Sequence, residues 1–111
     1  MYSGIIVENS LTDITILNTL TILQTWQDGS WVLHKVYVTE LQIKRISDNL
    51  AEGPWYTHFW DETKEKIIVV FKNKTFEIAA KNQETWQEAI QYGLALNIPV
   101  EQLDFLIDQD Q

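Results

Sequence analysis

The chain contains no cysteine, which removes disulfides, thiolate metal sites and cysteine nucleophiles together. Glycine is scarce, and Gly4, Gly29, Gly53 and Gly93 are too scattered to build a P-loop or a dinucleotide fingerprint. The serines Ser3, Ser10, Ser30 and Ser47 have no G-x-S-x-G context, so acyl-enzyme chemistry has no support. Apolar runs stay well short of the roughly 18 residues of a membrane span, and residues 1–10 lack the basic and apolar regions of a signal peptide. A cytoplasmic, bacterial-type protein is the expectation. Basic residues are also few: none precedes Lys35, none follows Lys81, and Arg45 is the one arginine.

What is present is acid. The net charge is −8, and six acids with no base follow Lys81. Such a balance keeps a small protein in solution, repels nucleic acid and anionic membrane, and favours basic partners. The leading expectation is therefore a non-enzymatic accessory or protein-interaction domain, meeting a basic protein through Glu84, Glu88, Glu101 and Asp104, with Asp108 and Asp110 beyond. A solvated acidic helix and tail is the plainer account of the same charges, and mimicry of DNA by the acidic face is a third.

With 111 residues, 45% of them apolar, the chain is long enough for one core and reads as a single domain, 1–111, with a short frayed acidic tail from about 106. Residues 53–80 organise the rest. Trp55, Thr57 and Phe59 alternate with Tyr56, His58 and Trp60, so both sides of that strand carry aromatic mass and it belongs in the interior of a sheet. Residues 67–72 run into Asn73-Lys74 and return along 75–79, a hairpin that would oppose Phe71 to Phe76 and Val69 to Ile78.

Upstream, residues 4–8 read as an interior strand. Ser10 offers a helix cap for a brief turn over 13–18, and 19–27 reads as a strand. Asp28-Gly29 predicts a tight hairpin to 30–38 that opposes Trp26 to Trp31, Gln24 to Leu33, Leu23 to His34 and Thr21 to Val36. A helix starts at Thr39 with Gln42 closing a capping box and Ile43, Ile46 and Leu50 facing inward; Gly53 and Pro54 end it. The last helix is capped by Asn82, buries Trp86, Ala89, Ile90, Gly93 and Leu94, and stops at Asn97 and Pro99. Gly93 in that stripe implies close approach of the helix to the sheet. A final turn over 100–105 docks Leu103 and Phe105. The fold class is α+β: an antiparallel or mixed sheet of about five to six strands, two main helices packed mostly on one face, and an order that partly resembles the ferredoxin-like βαββαβ pattern with a hairpin and helix appended.

Tyr56, His58 and Trp60 form the candidate ligand surface, three amphipathic rings on one side of a strand. They are open to a ligand if the helices take the other side, and a second small core if a helix or loop covers them. His34 and His58 lack ligand spacing, so no metal and no cofactor is expected, and an enzyme ranks below a binding domain. Lys64, Lys66, Lys72, Lys74 and Lys81 cluster near aromatics, but without an RNP-like motif and against the overall charge they read as edge protection, not a nucleic-acid site. Oligomeric state is open, a homodimer included. WYTHFW, VVFKNKTFEI and ETWQEAIQYGLALNIPVEQLDF together resemble small stand-alone bacterial proteins of uncharacterised families; the resemblance implies no activity, cofactor or site residue.

Overall fold

The computed structural model describes residues 1–105. Six strands, β1 (Tyr2–Val7), β2 (Thr21–Asp28), β3 (Trp31–Val38), β4 (Thr57–Asp61), β5 (Lys66–Phe71) and β6 (Lys74–Ala79), form one open sheet in the order β2-β3-β1-β4-β5-β6. Every neighbouring pair is antiparallel. Two helices, α1 (Glu40–Asn49) and α2 (Gln87–Ala95), complete the α+β fold. The acidic tail expected from about 106 lies outside the described residues, Asp108 and Asp110 with it.

Helix α1 begins as its sequence dictates. The Thr39 side chain accepts from the Gln42 N–H, the Gln42 side chain accepts from the Thr39 N–H, and Glu40 sits in the first turn. Ile43, Ile46 and Leu50 are buried, as expected, but the helix stops at Asn49, before Gly53 is reached. Because β3 and β4 both run antiparallel to β1, they are parallel to one another, and α1 crosses over the strand between them. The cap upstream is Asp13, not Ser10: its carboxylate accepts from the Thr15 N–H at the start of a 3-10 turn, Ile14–Thr19.

The helices divide between the two faces of the sheet instead of sharing one. On the first face α1 packs Ile43, Ile46 and Leu50 with Ile6, Val36, Phe59 and Val70. On the second, Trp86 and Ala89 pack with Trp60, Ile67, Val69 and Phe71. Adjacent residues of β4 and β5 thus enter different cores, and each fully buried side chain of this kind contributes about 1.5–3 kcal/mol. Only α1 connects two strands of the sheet, and α2 follows the last one, so the ferredoxin-like order is not completed.

Both hairpins differ from the expected register by two residues. The first turns at Gly29-Ser30, with Gly29 at φ +62°, and pairs Asp28 with Trp31, Trp26 with Leu33 and Gln24 with Lys35. A positive φ at the first turn residue alone is the type II′ arrangement, where glycine is favoured. A β-bulge between Ile22 and Gln24 then reduces the offset to one residue, pairing Ile22 with Val36 and Thr21 with Tyr37 where Thr21 was expected opposite Val36. The second hairpin turns at Lys72-Asn73 and opposes Val69 to Phe76 and Ile67 to Ile78.

The last helix is preceded by a 3-10 turn, Gln83–Trp86, whose cap is Asn82 as expected. The indole N–H of Trp86 donates to the Ala79 carbonyl at 2.8 Å. Leu94 is exposed, not part of the buried stripe. Gly93 approaches the returning chain and not the sheet: an added Cβ would lie 2.5 Å from Leu103 Cδ2. At Gly4 the same atom would lie 2.6 Å from the His58 carbonyl oxygen and 2.3 Å from the Phe59 ring. Gly4→Ala is therefore expected to lower unfolding free energy by about 1–3 kcal/mol in urea titration, from overpacking against backbone. Gly93→Ala should cost much less, because Leu103 can rotate and helix propensity returns about 1 kcal/mol; equal costs for the two would contradict this account of the packing.

Candidate functional site

The site arises where a strand pair comes apart. The β1–β4 ladder runs Tyr2 to Asp61, Ser3 to Trp60 and Gly4 to Phe59, and ends there. Beyond it the Thr57 hydroxyl donates to the Ile5 carbonyl, so a side chain replaces the missing rung. Ile5 and Val7 on one strand and Tyr56, His58 and Trp60 on the other then border an open cleft of about 480 Å³. Trp31, Pro54, Trp55 and Gln102 complete its walls. The three sequence candidates are thus brought to one place. Trp60 is buried, while Tyr56 and His58 are half-buried.

The row is neither fully covered nor fully open. Phe105, itself buried, sets its ring edge against Tyr56 and His58 at centroid distances of 5.7 and 6.0 Å. The Tyr56 hydroxyl donates to the Gln102 carbonyl, which ties the chain after α2 across one end of the row. His58 lies between Tyr56 (6.4 Å) and Trp60 (5.9 Å). The other wall is Trp31, 45% exposed, with its ring 6.0 Å from that of Trp55 and tilted by 56°.

Trp31 and Trp55 were not legible as site residues. The expected Trp26–Trp31 pair does not form, because the turn sits one residue later, and Trp31 meets Trp55 instead. Trp55 precedes β4, so strand alternation does not govern its side chain, and it lines the same cleft as Tyr56 and not the face of Phe59. The signal that could have found it is Gly53-Pro54, which holds the chain out of the strand just before it; the Trp55 N–H donates to the Gly53 carbonyl at 2.8 Å.

Among the residues lining this cleft there is no carboxylate, amine or thiol, and the two hydroxyls, of Thr57 and Tyr56, donate to the Ile5 and Gln102 carbonyls. His58 is the single imidazole. The cleft can therefore bind through ring faces and a few polar tips, and offers no nucleophile with its base.

His34 is elsewhere. It pairs with Ile6, on the face of the first core, so the two histidines lie on opposite sides of the sheet. Its Nε2 is 2.9 Å from Glu8 Oε1 and its Nδ1 2.8 Å from the Thr25 hydroxyl. That hydroxyl, imidazole and carboxylate have the order of a nucleophile relay, yet Thr25 is an exposed residue of the outermost strand and none of the three lines any of the four cavities. A satisfied buried histidine is the reading the geometry supports. Among the described residues, no group of three or more His, Asp or Glu could hold a metal ion.

Glu84 and Glu88 are exposed on the turn before α2 and in its first turn, while Glu101 and Asp104 flank Gln102 at the cleft end. Three of the clustered lysines are occupied locally: Lys66 lies 3.3 Å from Glu77 and 3.5 Å from Glu40, Lys72 donates to the Asp48 carbonyl, and Lys74 sits over the Phe76 ring. No described helix is long and apolar enough to cross a membrane.

Burial, and secondarily the negative charge of Asp104, push the Tyr56 phenol up to about 12 from its ordinary 10.0. A folded-state value above the unfolded one means that the contribution is complete below pH 10 and is lost as pH rises through about 12. Alkaline denaturation of the native chain should therefore steepen between those values, and Tyr56→Phe should flatten that part of the curve. A phenolate absorbance titration lacking any late component assigned to Tyr56 would show the hydroxyl to be solvated.

Comparison with protein-family models, with curated proteins and with solved structures finds no match, so the site rests on its own geometry.

Proposed function

We propose that this chain is a non-enzymatic binding domain whose working surface is the aromatic cleft between β1 and β4, taking a small organic ligand. The observation that carries this reading is the cleft itself: about 480 Å³, bordered by three indoles, a phenol and an imidazole, with one indole nearly half exposed. That volume is within the range of small-molecule sites, roughly 300–1,000 Å³. A solvent-exposed indole in a wall of rings is also the kind of residue that gains most from being covered.

A metabolite library read by tryptophan fluorescence tests the reading. A true ligand quenches or shifts emission saturably, and Trp31→Ala and Trp55→Ala each weaken it by about two- to fivefold or more while far-ultraviolet dichroism is unchanged, since neither ring belongs to the two cores. Binding that survives both substitutions would place the ligand elsewhere.

A second reading, interaction with a basic protein, is favoured by one observation. Among the described residues Glu84, Glu88 and Glu101 are exposed and make no ion pair, in a stretch with no base after Lys81. A complex formed through them should weaken steeply with added salt, and Glu84→Gln with Glu88→Gln should slow its association. A salt-insensitive complex would remove the role of these acids.

A further inference from the structure

We propose that the cleft ligand is a small organic cation of the methylated-ammonium class, held by the faces of Trp31, Trp55, Trp60 and Tyr56. The proposal rests on the cleft reading above and adds the class of ligand to it.

Ring geometry decides first between a flat heterocycle and a compact, rounded group. A flat ring held between two others needs about 7 Å between their planes, two carbon contact distances of about 3.5 Å. Trp31 and Trp55 meet at 56° and His58 and Trp60 at 47°, so these pairs make corners and not plates. The near-parallel pair, Tyr56 and His58 at 18°, has its centroids 6.4 Å apart, and Phe105 packs edge-on against both. No slot for a ring is left there. A corner of aromatic faces suits a roughly spherical group that touches several faces at once.

Electrostatics then decides between a neutral and a charged group. Aromatic faces are negative, and they attract a cation most where it is partly desolvated. No lysine or arginine lines the cleft; Lys35, across the ladder from Ile5, is the adjacent base and stays outside the lining. The net charge of −8 adds an attractive field, with Glu101 and Asp104 standing on either side of the lining residue Gln102. The charge of Asp104 is felt inside the site, since it contributes to the raised phenol of Tyr56. An anion would meet the opposite conditions at each of these points except Lys35, the nearby charge that would favour it. A methylated ammonium is preferred to a primary one because the lining offers few acceptors to replace the water that a primary ammonium would lose. The cleft's volume of about 480 Å³ accommodates a whole small solute, and a free solute is the occupant proposed.

The test is a titration of the full chain with choline and with its uncharged isostere, in which a tert-butyl group replaces the trimethylammonium, followed by the indole N–H resonances of the tryptophans. Choline is expected to move the Trp31 and Trp55 signals and to bind more than about tenfold tighter than the isostere, with Trp31→Ala or Trp55→Ala costing about two- to fivefold or more. Asp104→Asn should weaken choline by a few-fold and leave the isostere unchanged. Equal affinity for the two compounds at these tryptophans would overturn the cationic class and leave the cleft as a binding site. The same holds if choline is silent while a library compound moves the same signals. Silence of Trp31 and Trp55 toward every compound would overturn both readings. A trimethyllysine peptide binding more tightly than choline would overturn the free solute in favour of a protein tail.

Discussion

One constraint shapes this molecule: a six-stranded sheet is wider than a single helix can roof. Five inter-strand gaps of about 4.8 Å make a layer roughly 24 Å across, whereas a helix with its side chains is about 10–12 Å wide. On the second face α2 and the segments around it cover β4, β5 and β6, and no residue of β1, β2 or β3 enters that core. Among the described residues, no helix covers the other half of that face. The apolar side chains at the border, Ile5, Val7, Trp31 and Trp55, must then meet water or a ligand, and the cleft lies on that border.

The same constraint explains why the ends of the chain matter. After α2, Asn97 takes a left-handed conformation at φ 67° and the chain turns back through Ile98 and Leu103 to Phe105, all three buried. This return widens the roof by the width of one more segment, and Gly93 is where it touches the helix. The Tyr56 hydroxyl fastens this return through the Gln102 carbonyl. Had β1 and β4 stayed paired past Gly4, the strands would have remained at normal spacing beneath this edge. Because they part, Thr57 has to satisfy the Ile5 carbonyl from its side chain, and the floor of the cleft opens between them.

What was legible in the sequence follows from what period-2 alternation can encode. It assigns each residue to a face, and a slip of two residues leaves that assignment unchanged. Both hairpins slipped by two, so Val69 and Ile67 still meet aromatic and β-branched partners, yet the Trp26–Trp31 pair was lost and Trp31 was freed to face Trp55. Turn chemistry was the weak step. Asp-Gly and Asn-Lys each allow two placements, and the structure seats Gly29 first and Asn73 second in their turns. The caps of α1 and of the last helix were legible because they depend on contacts two or three residues apart. The division of helices between faces was missed, although residues 67–71 are apolar in succession and both sides of 55–60 are aromatic, a pattern that calls for cover on both sides of the sheet.

Charge placement completes the account of the cleft. Where this protein needs to neutralise charge for stability it does so locally, as Lys66 does between Glu40 and Glu77 and over the Tyr2 ring. Glu84, Glu88 and Glu101 are exposed in a stretch with no base after Lys81, and such solvent-facing carboxylates contribute little to stability. Their cost is mutual repulsion, small at physiological salt because the Debye length is about 8 Å. Their field is therefore felt chiefly at short range, by groups within one or two residues' reach of Glu101 and Asp104. The cleft end at Gln102 and the Tyr56 phenol lie within that range, and no lysine or arginine lines the cleft. An acidic rim beside aromatic faces is a charge pattern that discriminates between ligands by sign.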